Sequence, residues 1–496
     1  MCILSTRTFG TTEAIAFADA LGRNMTLREL LASGHSIGTV GASAFGKAMS
    51  SNTSLRSLCV GDNNFGDEDL SALVHDGLKE NVGLLVLDLE YKSISSGKAL
   101  CSLLQAHQTL EDLRLGRNRL GELALKDMSV GLSRSSRLRR LDLSGNLLDA
   151  AAAKALGRAL SAWASRQDAG VGEVLAPGIP PPLEYLDVSK NPLGDEGGAA
   201  LFQALRSCPV LRSLSAAEAG LGIAALTSLA ETLAPTHVGK ATECGASAGA
   251  AESATPVPNL GPLTKNSSIR KGNDDSDDSG QAASASEQLP ISRGLSLMSA
   301  LNLSKNDFGA EGVACLAEAF QRGGASRLES LSLSYSAVGD EGARVVAGAA
   351  GESLRVIDLG GNGLSGTGVA SVLSVRGLRE AKLFHNACGD EGVALVLEAL
   401  REAPHLENLD LGANCLSGIG FEALIPGLVC CPSLRTVELG ANCNDERAEA
   451  VVRGSQVNNP GLDIAFRRGG EAMEGSGMPP PESGLREGGS WAPSMD

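Results

Sequence analysis

The chain repeats one template, L-x-x-L-x-L-x-x-N-x-L, thirteen times in 496 residues. Five copies are clean: Leu55–Leu58–Val60–Asn63–Phe65, Leu110–Leu113–Leu115–Asn118–Leu120, Leu138–Leu141–Leu143–Asn146–Leu148, Leu183–Leu186–Val188–Asn191–Leu193 and Met298–Leu301–Leu303–Asn306–Phe308. Further copies begin at Leu328, Leu354, Leu378, Leu406 and Leu434, and weaker ones at Leu27, Leu84 and Leu211. Successive starts lie 28, 29, 26, 28, 45, 28, 87, 30, 26, 24, 28 and 28 residues apart. A unit of about 28 residues is too short to bury its own apolar face, so neighbouring units must stack into one continuous core.

Within a unit, L-x-L-x-x alternates apolar and polar residues, the mark of a short strand with one buried face. A Gly-led turn and a helix follow, as in NPLGDEGGAALFQALRSCP from Asn191, and G-D-E-G recurs at Gly339 and Gly389. Asp195 is expected to cap the helix it begins, with Glu196 at that helix's positive end. Ala199, Leu201, Ala204 and Leu205 give the helix an apolar stripe. The template Asn stands at Asn63, Asn118, Asn146, Asn191, Asn306, Asn362, Asn386, Asn414 and Asn442, where its amide can satisfy backbone groups of the turn and the adjoining unit. His35, Lys92, Ala219 and Ser336 take its place elsewhere, and those rungs are expected to be looser.

The 28-residue period and the L-G-D-E-G-A wording resemble the ribonuclease-inhibitor-like class of leucine-rich repeat proteins, which includes the repeat regions of NOD-like receptors and the Ran GTPase-activating proteins. The resemblance spans about residues 11 to 467 and implies an α/β solenoid, a horseshoe with parallel strands on the concave face and helices on the convex face. The expected organisation is an N-terminal cap over 1–26 and a first repeat block over 27–233, interrupted by a loop near 162–181. A disordered acidic Gly/Ala/Ser-rich insertion over 234–293 follows, then a second block with its C-terminal cap over 294–468 and a disordered tail over 469–496.

Charge narrows the partners. With 42 basic and 58 acidic residues the net charge is −16, which disfavours nucleic acid and anionic membranes alike. No apolar run approaches the 18 residues of a membrane span. The start MCILSTRTFG lacks a secretory pattern, and the odd count of 11 cysteines fits reduced thiols in the cytoplasm.

Motifs for chemistry give way to register. G-A-S-A-F-G-K-A, Gly41 to Ala48, has phosphate-loop spacing but carries Ala48 where a hydroxyl should hold magnesium, and it fills the helix slot of its unit. His35, His75, His107, His237, His385 and His405 show no metal spacing, and no C-x-x-C pair exists. Cys415 and Cys443 recur one period apart with Cys388 nearby, as small apolar residues do; Cys430 and Cys431 precede Pro432 at a helix end. The acid pairs Asp195–Glu196, Asp340–Glu341 and Asp390–Glu391 each lie at a helix start. No cofactor, metal or catalytic residue is expected.

The residue between the second and third template positions faces the concave side. In order it reads Leu31, Cys59, Asp88, Arg114, Asp142, Asp187, Ser215, Asn302, Ser332, Asp358, Lys382, Asp410 and Glu438, six acidic against two basic. Such a face either steers a protein partner with a basic surface or serves general solubility, since Asp is commonplace at this position of such repeats. Aromatics are only 3% of the chain, yet Tyr91, Tyr185, Tyr335, Phe384 and His385 all map to exposed strand or turn positions, as interface anchors do. The sequence therefore predicts a non-catalytic scaffold whose concave face uses Tyr91, Asp142, Tyr185, Asp187, Tyr335, Asp358, Phe384, His385 and Asp410. The alternative is a GTPase activator resembling the Ran-directed class, with Arg117 in the turn GRNRLG as its arginine. The tail lacks that class's long acidic run. Ser267–Gly280 joins basic and acidic residues around serines, which reads as a solvated linker or a phosphorylated switch.

Overall fold

A three-residue strand can send only its middle side chain into a core, so a sheet of such strands needs one apolar residue per rung. The computed structural model of this protein describes residues 1–3, 9–164, 182–234, 295–324, 326–442, 446–458 and 461–466. They form a single parallel sheet of 14 strands in sequence order. The longer strands are β1 (Glu29–Ser33) and β2 (Ser57–Gly61). Three-residue strands follow: β3 (Val86–Asp88), β4 (Asp112–Arg114), β5 (Arg140–Asp142), β6 (Tyr185–Asp187) and β7 (Ser213–Ser215). The series continues with β8 (Ala300–Asn302), β9 (Ser330–Ser332), β10 (Val356–Asp358) and β11 (Glu380–Lys382). It ends in β12 (Asn408–Asp410), β13 (Thr436–Glu438) and β14 (Asp463–Ala465). The second residue of every strand, from Leu30 and Leu58 through Leu141 and Leu301 to Ile464, is buried.

A helix follows nearly every strand and packs on the helix of the next unit. Strands sit about 4.8 Å apart and packed helices about 8–10 Å apart, so the helical side is the longer one and the sheet lines the inside of the arc. This is an α/β horseshoe solenoid. The helix Thr11–Arg23 packs on the first repeat helix, Gly38–Ser51. Residues 1–3 run beside β1, Leu31 N donating to Met1 O at 2.8 Å. The loop expected near 162–181 starts later than that, since residues 162–164 still belong to the helix Ala150–Ala164 with Trp163 buried; its remainder, residues 235–293 of the expected insertion and the expected tail 469–496 lie outside the described residues.

Strands β7 and β8 are direct neighbours, Ser213 beside Ala300 and Ser215 beside Asn302, although the whole expected insertion, 234–293, separates them in sequence. Closing a long loop costs little more than closing a short one, because the entropy grows only logarithmically with length.

Eight of the nine template asparagines form the expected ladder. Asn191 shows the pattern: its Nδ2 donates to Leu143 O at 2.9 Å and Val188 O at 2.9 Å, while its Oδ1 accepts from Asn146 N at 2.9 Å and Leu148 N at 3.2 Å. Asn118, Asn146, Asn306, Asn362, Asn386, Asn414 and Asn442 likewise donate to a carbonyl of the preceding unit. Asn63 departs from expectation and is exposed. The reason is its neighbour: Lys92 is buried at the next template position, and its Nζ reaches back to Gly61 O at 2.8 Å and Ser33 Oγ at 3.2 Å. Burial, opposed by nearby Cys59 and Asp88, lowers the Lys92 pKa from its usual value.

The G-D-E-G aspartates also differ from expectation. Asp195 lies inside its own helix, Gly194–Ala204, and its carboxylate accepts from Gly222 N at 3.0 Å and Ala225 N at 2.6 Å, at the start of the next unit's helix. Asp67, Asp340 and Asp390 do the same toward Ser95, Ser365 and Ser417. The cap thus ties one unit to the next and is a coupling term between repeats. Burial works against the charged form of Asp340, but hydrogen bonds from Ser365 and Thr367 outweigh it and hold the carboxyl below its usual range. Glu196 pairs backward with Lys154 at 2.5 Å.

Candidate protein-binding face

Strand register builds the face. The first residues of the strands form one row, including Asp112, Arg140, Tyr185 and Ser213, and the third residues another, including Arg114, Asp142, Asp187 and Ser215. Every predicted concave position falls in that third-residue row, in the predicted order. Cys59 is the correction there, since it is buried rather than exposed.

The aspartates of this row have a structural duty as well. One oxygen of Asp142 accepts Ser144 N at 2.8 Å, one of Asp187 accepts Ser189 N at 2.9 Å, one of Asp358 accepts Gly360 N at 3.1 Å and one of Asp410 accepts Gly412 N at 2.9 Å. Each closes the turn after its strand, as Asx turns do. Their charges remain. Asp88 and Asp112 lie within ion-pair reach of Arg114, and Asp112 also of Arg140, whereas among the described residues Asp142, Asp187, Asp358 and Asp410 have no ion pair. Burial first, and then the neighbouring Asp142 charge, raise the Asp187 pKa. Asp410 is raised by burial and by Asp358. A cation placed beside these groups would favour their charged forms.

The aromatic residues separate into three places. Tyr185 is half-buried on β6, with the Arg140 guanidinium 4.2 Å from its ring centroid and its hydroxyl donating to Asp187 Oδ2 at 3.2 Å. Burial and the Asp187 charge push its phenol pKa upward. Tyr91 is 51% exposed and lies under Arg117 at 4.9 Å, so the arginine considered for GTPase activation is stacked on a ring.

Tyr335, Phe384 and His385 come together, which the sequence did not foretell. Tyr335 is 6.1 Å from Phe384 and 5.9 Å from His385, centroid to centroid, across the intervening unit. That unit offers Gly360 and Gly361. A Cβ on Gly361 would stand 2.4 Å from the Tyr335 ring and one on Gly360 would stand 2.5 Å from Phe384, so the two glycines make the notch in which the rings meet. Tyr335 remains 42% exposed and His385 is exposed.

From Tyr185 toward the Tyr335–Phe384–His385 group the floor is small and largely polar. Strands β7 to β9 present Ser213, Ala300 and Ser330 in the first row and Ser215, Asn302 and Ser332 in the third. Hydroxyls link it: Ser189 Oγ and Ser215 Oγ are 2.7 Å apart, Ser304 Oγ and Ser332 Oγ 2.6 Å, and Ser332 Oγ donates to Asp358 Oδ2 at 3.0 Å.

Elsewhere the motifs resolve as packing. Gly41 and Gly46 lie buried in the helix Gly38–Ser51, and a Cβ on Gly46 would meet Leu73 O at 2.6 Å. Among the described residues no group of three or more His, Cys, Asp or Glu is placed to hold a metal. Cys388 is buried as a packed small residue, but Cys415 departs from that expectation and is exposed, and Cys443 lies outside the described residues. No described helix is long and apolar enough to cross a membrane.

The first units carry a second amide ladder, outside the template positions. Asn52 Oδ1 accepts Ser54 N and Leu55 N, at 2.9 and 2.8 Å, and its Nδ2 donates to Leu21 O and Asn24 O. Asn81 repeats this one unit on, with Nδ2 to Met49 O at 2.6 Å and Asn52 O at 2.7 Å. Its signal is an Asn three residues before the first template Leu, present at Asn24, Asn52 and Asn81, with His107 in the same place thereafter.

A family model described as Leucine Rich repeat matches residues 51–74, 180–202, 295–317 and 326–347. The chain is 33% identical to the Tonsoku-like protein of Bos taurus over 153 residues, 31% of this chain and 10% of that protein. It is 36% identical to the Tonsoku-like protein of Danio rerio over 129 residues, 26% of this chain and 8% of that protein. It thus spans about a tenth of the length of these curated relatives. Among solved structures, an internalin from Listeria monocytogenes aligns at TM-score 0.39 and 13% identity, over 80% of this chain and 87% of that one. The mouse RP105/MD-1 complex aligns at TM-score 0.43 and 13% identity, over 88% of this chain and 64% of that one. With thirteen registered templates, a matching repeat model and a 14-stranded parallel solenoid, the chain is a leucine-rich repeat protein.

Proposed function

We propose that this chain is a non-catalytic scaffold that holds a protein partner with a basic surface in its concave face. The observation that carries the reading is the pairing of Asp142, Asp187, Asp358 and Asp410, which lack ion pairs among the described residues, with the exposed Tyr335–Phe384–His385 group on the same face. Half-buried carboxylates gain from a cation, and rigid rings supply contact area at small entropic cost. The period of about 28 residues, with a helix in nearly every connection, supports placing the chain in the ribonuclease-inhibitor-like class. A cytoplasmic setting accords with its odd number of cysteines.

Affinity capture from a cell extract with the double variant Tyr185→Ala, Tyr335→Ala tests this. The bound set is expected to fall at least about tenfold, because each aromatic anchor contributes on the order of 1–2 kcal/mol. An unchanged set from a variant of unchanged thermal stability would remove the concave anchors from the account.

A further inference from the structure

The small polar floor of the face has definite limits, and they fix the shape of what it can hold. Over β7, β8 and β9 the six outward strand residues, Ser213, Ser215, Ala300, Asn302, Ser330 and Ser332, include none larger than Asn. At one border stands Asp187 on β6, beneath Tyr185; at the other stands Asp358 on β10, one strand from Phe384. Both carboxylates occupy the same row, so the line between them runs across the strands. Four strand spacings separate them, about 19 Å.

A rigid globular surface would reach such a floor of small residues only in part. An extended segment fits it. At about 3.3 Å per residue, a chain laid across the strands covers the interval in about six residues. Alternate side chains of an extended segment point the same way, so residues i and i+6 both face the floor, with i+2 and i+4 over the serines. Six is therefore favoured over five or seven, which would turn one of the two side chains outward.

We propose that the concave face binds an extended peptide segment carrying two basic residues six positions apart, one on Asp187 and one on Asp358, with small residues between them. This rests on the protein-binding reading above and specifies its ligand. Intervening residues at i+2 and i+4 are small and uncharged because the floor below them offers serine hydroxyls already paired at 2.7 and 2.6 Å and no carboxylate of its own. Tyr185 stands beside Asp187 at one end, and the Tyr335–Phe384 pair rises from the turns after β9 and β11, the strands on either side of Asp358.

The test uses the full chain and fluorescently labelled peptides of identical composition, two lysines in a serine–alanine background, spaced by two, four, six or eight positions. Binding is expected to be tightest at six, about fivefold or more above a spacing of two. In Asp187→Asn, Asp358→Asn, that preference should vanish and affinity for the six-spaced peptide should fall about tenfold or more. The variant keeps its turns, because Asn302 already stands in this row and its Oδ1 accepts Ser304 N at 3.1 Å. Equal affinity at all spacings, no binding of any peptide, or a preference that survives in the variant would overturn the proposal. Capture that still depends on Tyr185 and Tyr335 in any of those cases would leave the broader scaffold reading standing.

Discussion

Asn191→Ala should lower the unfolding free energy by about 3–5 kcal/mol, while Asn63→Ala, at the same template position, should stay within about 0.5 kcal/mol of the parent. Asn191 is 2% exposed, and its amide serves both its own unit and the preceding one. Removing it strips partners from Asn146 N, Leu148 N and Leu143 O, all of them in the sheet-side turn of the preceding unit. Each buried group left unmade costs about 1–3 kcal/mol, well above the ~1 kcal/mol of a single exchanged hydrogen bond. Asn63 is exposed because Lys92 occupies the space its amide would need. Denaturant titration of both variants reads the difference. Equal losses would mean that the template Asn acts through its turn alone and not through the next rung.

The second large effect is a dependence on pH. His107 is buried; its Nδ1 accepts from Leu110 N at 3.2 Å, and its Nε2 has no hydrogen-bond partner among the described residues. Burial pushes its pKa down to about 4 from 6.5. Because the folded pKa is the lower one, folding favours the neutral ring. The stability it protects is complete above about pH 6.5, where the unfolded chain is also neutral, and is lost as pH falls from there toward 4. A displacement of that size is worth about 3 kcal/mol. Asn fits this place, as Asn81 shows one unit earlier with donors and acceptors both satisfied. His107→Asn should therefore be at least as stable as the parent at pH 7 and should lose less by about 3 kcal/mol between pH 6.5 and 4. Carboxylates titrate in both proteins, so the difference between them isolates the histidine. Parallel stability curves would contradict this.

Much of the fold was legible because a repeated local pattern leaves few alternatives. The spacing Leu110–Leu113–Leu115–Asn118 fixes one strand and one turn, and its recurrence fixes their stacking. The concave row was legible for the same reason, since a period of two sends Asp142 and Leu141 to opposite faces. What escaped depends on a neighbouring unit's side chains. Lys92 displaces Asn63 from one rung away, and Asp195 caps a helix one unit ahead. Tyr335 meets Phe384 only because Gly360 and Gly361 remove the side chains between them, a coincidence of three units that no single repeat records.

Site-specific photocrosslinking compares the two faces of the solenoid directly. One photoreactive residue is placed at Asn302, in the middle of the concave floor, and another at Ile419, 63% exposed on the helix Gly418–Val429. Discrete crosslinked protein species are expected from position 302, reduced in Asp187→Asn, Asp358→Asn, with background labelling from position 419. Discrete species from position 419 with none from position 302 would place the partner on the helices and contradict binding in the concave face.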